Sequence, residues 1–129
     1  MIIDGKNAVL GRLASATAKK LLAGEEVTVI NAESVIVTGR PDEIKQKYLK
    51  FKLIGSPQHG PFPPRQPNMI VRRTIRSMLP KEKKGRAALK KLKVFIGDNG
   101  MKGERAAVKN IRTNYITVGE IAKVIGWRG

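Results

Sequence analysis

Positive charge sits on this chain in one block, and that block limits where a core can be built. Residues 40–93 carry sixteen Lys and Arg against three Asp and Glu, a net +13, whereas residues 1–39 carry four of each and are neutral. Residues 94–129 add six basic and three acidic groups, so 13 of the 16 excess charges fall within 54 residues. Like charges at this density repel one another in a compact state, which is more easily understood if a polyanion normally neutralises them. Nucleic acid and an anionic membrane surface are the two candidates. By contrast, the neutral beginning reads as an ordinary domain half. With 129 residues, 41% of them hydrophobic, the chain suffices for one core and not for two, so a single domain over residues 1–129 is expected.

Other classes are disfavoured residue by residue. Cysteine is absent, which removes disulfides, thiolate zinc sites and a cysteine nucleophile and fits a reducing compartment. Met1-Ile2-Ile3-Asp4 is not the start of a signal segment, and no apolar run approaches the roughly 18 residues of a membrane span. A soluble, intracellular chain is expected. His59 is the lone histidine, so neither a histidine-based triad nor a multi-histidine metal site can be assembled. The Gly5 to Gly11 stretch lacks the second close glycine and the acidic partner of a dinucleotide fold, and no Gly-Lys-Ser or Gly-Lys-Thr phosphate loop occurs. No catalysis, cofactor, metal or small-molecule substrate is expected.

Hydrophobic periodicity places the elements. Ile2 and Ile3 form a short strand, and Leu10 to Ala23 follows a helical period in which Leu10, Leu13, Ala14, Thr17, Ala18, Leu21 and Leu22 share one side. Gly24 ends that helix as a left-handed cap. Val27–Ile30 and Val35–Val37 read as buried β-branched strands. Strand, helix, strand implies a parallel pair, but only four residues separate Ile30 from Val35, too few for a helical crossover. The third strand is therefore either antiparallel or joined by a compact turn.

A second helix starts at Pro41 with Asp42 and Glu43 in its first turn and carries Lys45, Lys47, Lys50 and Lys52. The stretch from Gly55 to Asn68 holds five of the seven prolines and can be neither helix nor inner strand. It reads as a surface loop, as a stiff extension whose His59 and Arg65 meet phosphates while Phe62 stacks, or as a ligand for proline-binding domains. Two helices follow, near Met69–Leu79 and Lys83–Leu92, then a strand at Val94–Ile96, a glycine-rich loop, an extended piece around Tyr115–Thr117 and a last helix near Val118–Ile125. Trp127 reads as a packing residue.

The basic helices carry the chemistry. Val71, Ile75, Met78 and Leu79 line one arc of the first, and Arg72, Arg73 and Arg76 the adjacent arc, so the guanidinium groups are expected to point outward together. In the second, Ala88, Leu89 and Leu92 form a narrow apolar face, with Arg86, Lys90, Lys91 and Lys93 around it. Only Glu82 is acidic between residues 44 and 93, so intrahelical pairing cannot account for these cations. Arg12, on the outer side of the first helix, is either solvated or part of the same surface.

The block Ile75-Arg76-Ser77-Met78-Leu79-Pro80, four residues, Gly85-Arg86, five residues, Leu92-Lys93-Val94-Phe95-Ile96-Gly97 resembles the L-thirteen family of large-subunit ribosomal proteins. Leu10-Gly11-Arg12-Leu13-Ala14-Ser15, Val29-Ile30-Asn31-Ala32-Glu33 and Val37-Thr38-Gly39 support it, so the resemblance runs through residues 1–97 in order. The Gly-Pro-Phe-Pro-Pro-Arg loop and Arg72-Arg73-Thr74 look like the archaeal and eukaryotic branch. The resemblance implies a three-layer α/β/α fold around a mostly parallel four-stranded sheet, with a basic, proline-rich loop and helical extension. It also implies cytoplasmic location in the ribosome, with large-subunit ribosomal RNA and neighbouring ribosomal proteins as partners. Carried over by position, Arg72, Arg73, Arg76, Lys81, Lys83, Lys84, Arg86, Lys90 and Lys91 are the RNA-facing set, within a basic region of about 40–93. A non-ribosomal RNA-binding regulator and a peripheral protein on anionic lipid are the alternatives.

Overall fold

The computed structural model describes residues 1–54, 66–98, 100–105 and 114–127. The chain runs β1 (Ile2–Asp4), α1 (Leu10–Leu22), β2 (Val27–Ile30), a 3-10 turn (Ala32–Ser34), β3 (Ile36–Thr38) and α2 (Pro41–Ile54). It continues with α3 (Pro67–Ser77), α4 (Lys83–Leu89), β4 (Leu92–Val94), β5 (Glu104–Arg105), β6 (Tyr115–Thr117) and α5 (Val118–Val124). No helix among the described residues is long and apolar enough to cross a membrane.

The helical period of α1 places its apolar side in the core: Leu10, Leu13, Ala14, Thr17, Ala18 and Leu21 are buried. Lys19 and Lys20 occupy the last turn, where cations complement the helix dipole. Gly24 follows with φ +94°, the left-handed conformation expected of it.

The parallel sheet has the order β4-β2-β1-β5, with β1, β2 and β4 forming its body and β5 adding two residues at one edge. β3 does not join it. Residues 31–34 are too few for a crossover, and Asn31 enters the left-handed region at φ 56°, so the 3-10 turn carries the chain out of the sheet. β3 instead pairs antiparallel with β6, Val37 opposite Ile116. The antiparallel option thus holds for this strand, with a partner about eighty residues away in sequence.

β4 begins two residues before the expected Val94. Leu92 lies opposite Val27 and Val94 opposite Val29, which puts both into the same buried row, and α4 ends at Leu89 to allow it. Leu92 is therefore a strand residue rather than part of the α4 face, and Ile96 lies beyond the strand, 40% exposed. Ile3, Val29 and Val94 run across the sheet as a buried row beneath helices. The alternate row is more open among the described residues: Ile2 and Thr28 are half-buried and Lys93 is exposed. α3 packs against both α1 and α5, α3 and α1 also touch the sheet, and α2 rests against α5 and β6. One contiguous core results, drawing on residues from Ile3 to Ile125, with Trp127 packed at its margin.

Candidate nucleic-acid interface

The candidate interface rests on two short helices whose inner sides are fixed. Pro67 is the first residue of α3, where its missing amide hydrogen is no loss, so the proline-rich stretch stops at Gln66 rather than Asn68. Ile70, Val71 and Ile75 are buried beneath α3, and Leu79 just beyond it. Met78, expected in that buried arc, is 43% exposed. It lies past the last turn, as the C-cap residue, where the helical phase no longer aims side chains inward.

α4 is held by a close backbone approach. A Cβ on Gly85 would lie 1.7 Å from the Pro80 carbonyl oxygen, so the helix can seat here only on glycine. Gly85 and Ala88 face inward, leaving Lys83, Lys84, Arg86 and Ala87 exposed. Residues 66–97 carry ten basic side chains and one acidic. The one ion pair among the described residues is elsewhere, Arg40 with Glu43 at 3.9 Å on the surface of α2.

Most of the expected contact residues are therefore exposed cations without an acidic partner among the described residues: Arg73, Arg76, Lys81, Lys83, Lys84, Arg86 and Lys90. Arg12 is exposed on α1, which packs against both α3 and α4. Two residues differ from expectation. Arg72 is half-buried, and its guanidinium donates to the Leu92 carbonyl at 3.0 Å, clamping α3 to the sheet instead of pointing out with Arg73 and Arg76. Lys91 donates through Nζ to the Gly24 carbonyl at 3.2 Å, tying the end of α4 to the turn after α1.

The α2 lysines form a separate group. Lys47 is exposed and Lys45 half-buried, while only the helical backbone is described for Lys50 and Lys52. Tyr48, on the same helix, packs against the core, and burial raises its pKa above the usual tyrosine value while the nearby Arg73 cation opposes that rise. His59, Phe62 and Arg65 lie outside the described residues.

The profile of the family described as Ribosomal protein L13 matches residues 1–100. The chain belongs to this family. It is 45% identical to the large ribosomal subunit protein uL13 of Methanocaldococcus jannaschii, over 97% of this chain and 96% of that one. The counterpart from Methanopyrus kandleri is 42% identical over 98% of this chain and 87% of its own, and that of Aeropyrum pernix 35% over 100% and 91%. These alignments carry the likeness past residue 97, where the resemblance read from motifs stopped.

Lys93, outside the expected contact set, is an exposed cation as well. It is the exposed middle residue of β4, an edge strand. The signal was present as the alternation Leu92-Lys93-Val94, obscured because Leu92 fits the α4 period equally well.

Proposed function

We propose that this chain is a structural constituent of the large ribosomal subunit in the cytoplasm, binding large-subunit ribosomal RNA through the α3–α4 surface and supporting subunit assembly. The observation that carries the reading is the unpaired cationic surface itself. Arg73, Arg76, Lys83, Lys84 and Arg86 project from helices whose opposite sides are buried, and none of them is in an ion pair among the described residues. Phosphate oxygens are the acceptors such a surface suits, since charge-assisted bonds from guanidinium and ammonium groups are roughly twice as strong as neutral ones. Family membership supplies the anion: the relatives are named as large-subunit proteins. A regulatory RNA-binding role outside the ribosome is the alternative.

The reading includes neighbouring ribosomal proteins as partners and no catalytic step. It treats residues 1–129 as one domain with an RNA-facing region of about 40–93, supported by the single core drawn from both ends of the chain. The three-layer arrangement around four strands is part of the same proposal. Its support is the all-parallel pairing, because such sheets have both faces covered.

Sedimentation tests the function. The chain is expected to stay at one copy per large subunit after a moderate salt wash. Release into the soluble fraction under that wash, with intact subunits left behind, would favour the regulatory alternative.

A further inference from the structure

Where α3 meets β4 the surface opens into a groove of about 430 Å³, lined by Asn68, Met69 and Arg72 from the helix and by residues 92–95 of the strand side. β4 is an edge strand. The Val27 amide donates to the Lys91 carbonyl, and the Phe95 amide to the Val29 carbonyl. With the two-residue alternation of a strand, residues 91, 93 and 95 face β2, and the backbone groups of Leu92 and Val94 face the groove. Both outward carbonyls are occupied: Leu92 accepts from Arg72 at 3.0 Å and Val94 from Asn68 Nδ2 at 3.4 Å. Their two amide hydrogens meet no acceptor among the described residues.

An edge that has its acceptors capped and its donors open is a poor site for strand addition, which needs both. The strand edge suits a ligand that brings acceptors, while Asn68 Oδ1, buried and unpartnered among the described residues, offers one acceptor to a ribose hydroxyl or base amino group. Arg72 retains further N–H donors, Lys93 is exposed beside it, and neither α3 nor residues 83–97 contain an acid, so the groove favours an anion. Met69, 44% exposed, and half-buried Phe95 add apolar surface on which a base can rest. We propose that this groove binds a single-stranded stretch of RNA, one phosphate on the Leu92 and Val94 amides flanked by Arg72 and Lys93, and an unpaired base against Met69 and Phe95. The proposal rests on the RNA-binding reading above but assigns a site separate from the exposed helix cations.

The test is a titration of the full-length protein, followed by backbone amide NMR, with a ten-nucleotide oligoadenylate and separately with a duplex RNA of mixed sequence. Saturable shifts at Leu92 and Val94 with the oligoadenylate are expected. Lys93→Glu and Phe95→Leu should each weaken that binding roughly fivefold or more, the range of one lost phosphate or stacking contact. Duplex binding should persist in Phe95→Leu, which leaves every cation in place. Oligoadenylate binding whose shifts are confined to Arg73, Arg76, Lys83 and Arg86 would overturn the groove and leave the RNA reading standing. If an extended peptide moves the Leu92 and Val94 amides and the oligoadenylate does not, the groove is a protein site and the proposal fails. Binding of neither RNA would overturn the groove and the wider reading together.

Discussion

Arg72 is clamped to the sheet while Arg73 and Arg76 point outward, and replacing it by methionine isolates the difference. Methionine keeps most of the apolar stem and removes the guanidinium that donates to the Leu92 carbonyl at 3.0 Å in a half-buried setting. Loss of a hydrogen bond from a charged donor costs about 1.5–3 kcal/mol. At roughly 3–4 °C per kcal/mol for a domain of this length, Arg72→Met should lower Tm by about 5–10 °C in a circular dichroism melt. Arg76→Met is the matched control: Arg76 is exposed and unpaired among the described residues, so its effect should stay within about 0.5 kcal/mol, or roughly 2 °C. Duplex RNA binding should respond in the opposite order, Arg76→Met weakening it more than Arg72→Met at a temperature where both are folded. Equal Tm shifts for the two variants would refute the clamp. It follows that reversing the charge of all three α3 arginines at once is not a clean test of binding, because one of them holds the helix in place.

Gly85→Ala should destabilise by on the order of 3 kcal/mol in chemical denaturation, because its Cβ would meet the Pro80 carbonyl oxygen at 1.7 Å; Gly11→Ala, with open space around the Cβ, should be neutral or gain about 0.5 kcal/mol. Thr17 is fully buried in α1 with its hydroxyl unpartnered among the described residues, so Thr17→Val should stabilise by about 1 kcal/mol in the same assay. Tyr48 has a pKa raised above 10.0 by burial, so the unfolded chain loses that proton first as pH climbs. Its contribution is complete below pH 10.0 and is lost as pH rises through the folded value, and a Tyr48→Phe variant should show a shallower alkaline decline of stability in urea titrations.

What could be read from residue order differs by element. α1 was legible because its apolar side repeats at the helical period and Gly24 closes it; both properties lie within fifteen consecutive residues, Leu10 to Gly24. The charge block was equally local, and it pointed to the exposed cations of α3 and α4 directly. β3 was not, since its partner β6 lies far along the chain and no short-range signal names it. β4 slipped by two residues because Leu92 satisfies both the helical period of α4 and the alternation of a strand, and only the register with Val27 decides between them. Arg72 and Lys91 show the same limit for side chains. A helical phase says which way a residue leaves the axis, whereas the Leu92 and Gly24 carbonyls that capture them come from segments placed there by the tertiary fold.

The cationic α3–α4 surface is the centre of the account, and the salt dependence of RNA binding tests it most directly. If about six to ten phosphates are neutralised, affinity of the native chain for large-subunit RNA should fall by roughly three to five orders of magnitude between about 50 and 200 mM salt. Arg76, Lys83 and Arg86 are exposed, and replacing all three by glutamate should make the slope of log affinity against log salt shallower by about three units. Replacing Lys6, Lys102 and Lys123, exposed positions outside the block, changes the net charge equally and should alter the slope by less than about one unit. Equal loss of slope and affinity in the two triple variants would contradict the mapped interface and leave total charge as the only determinant.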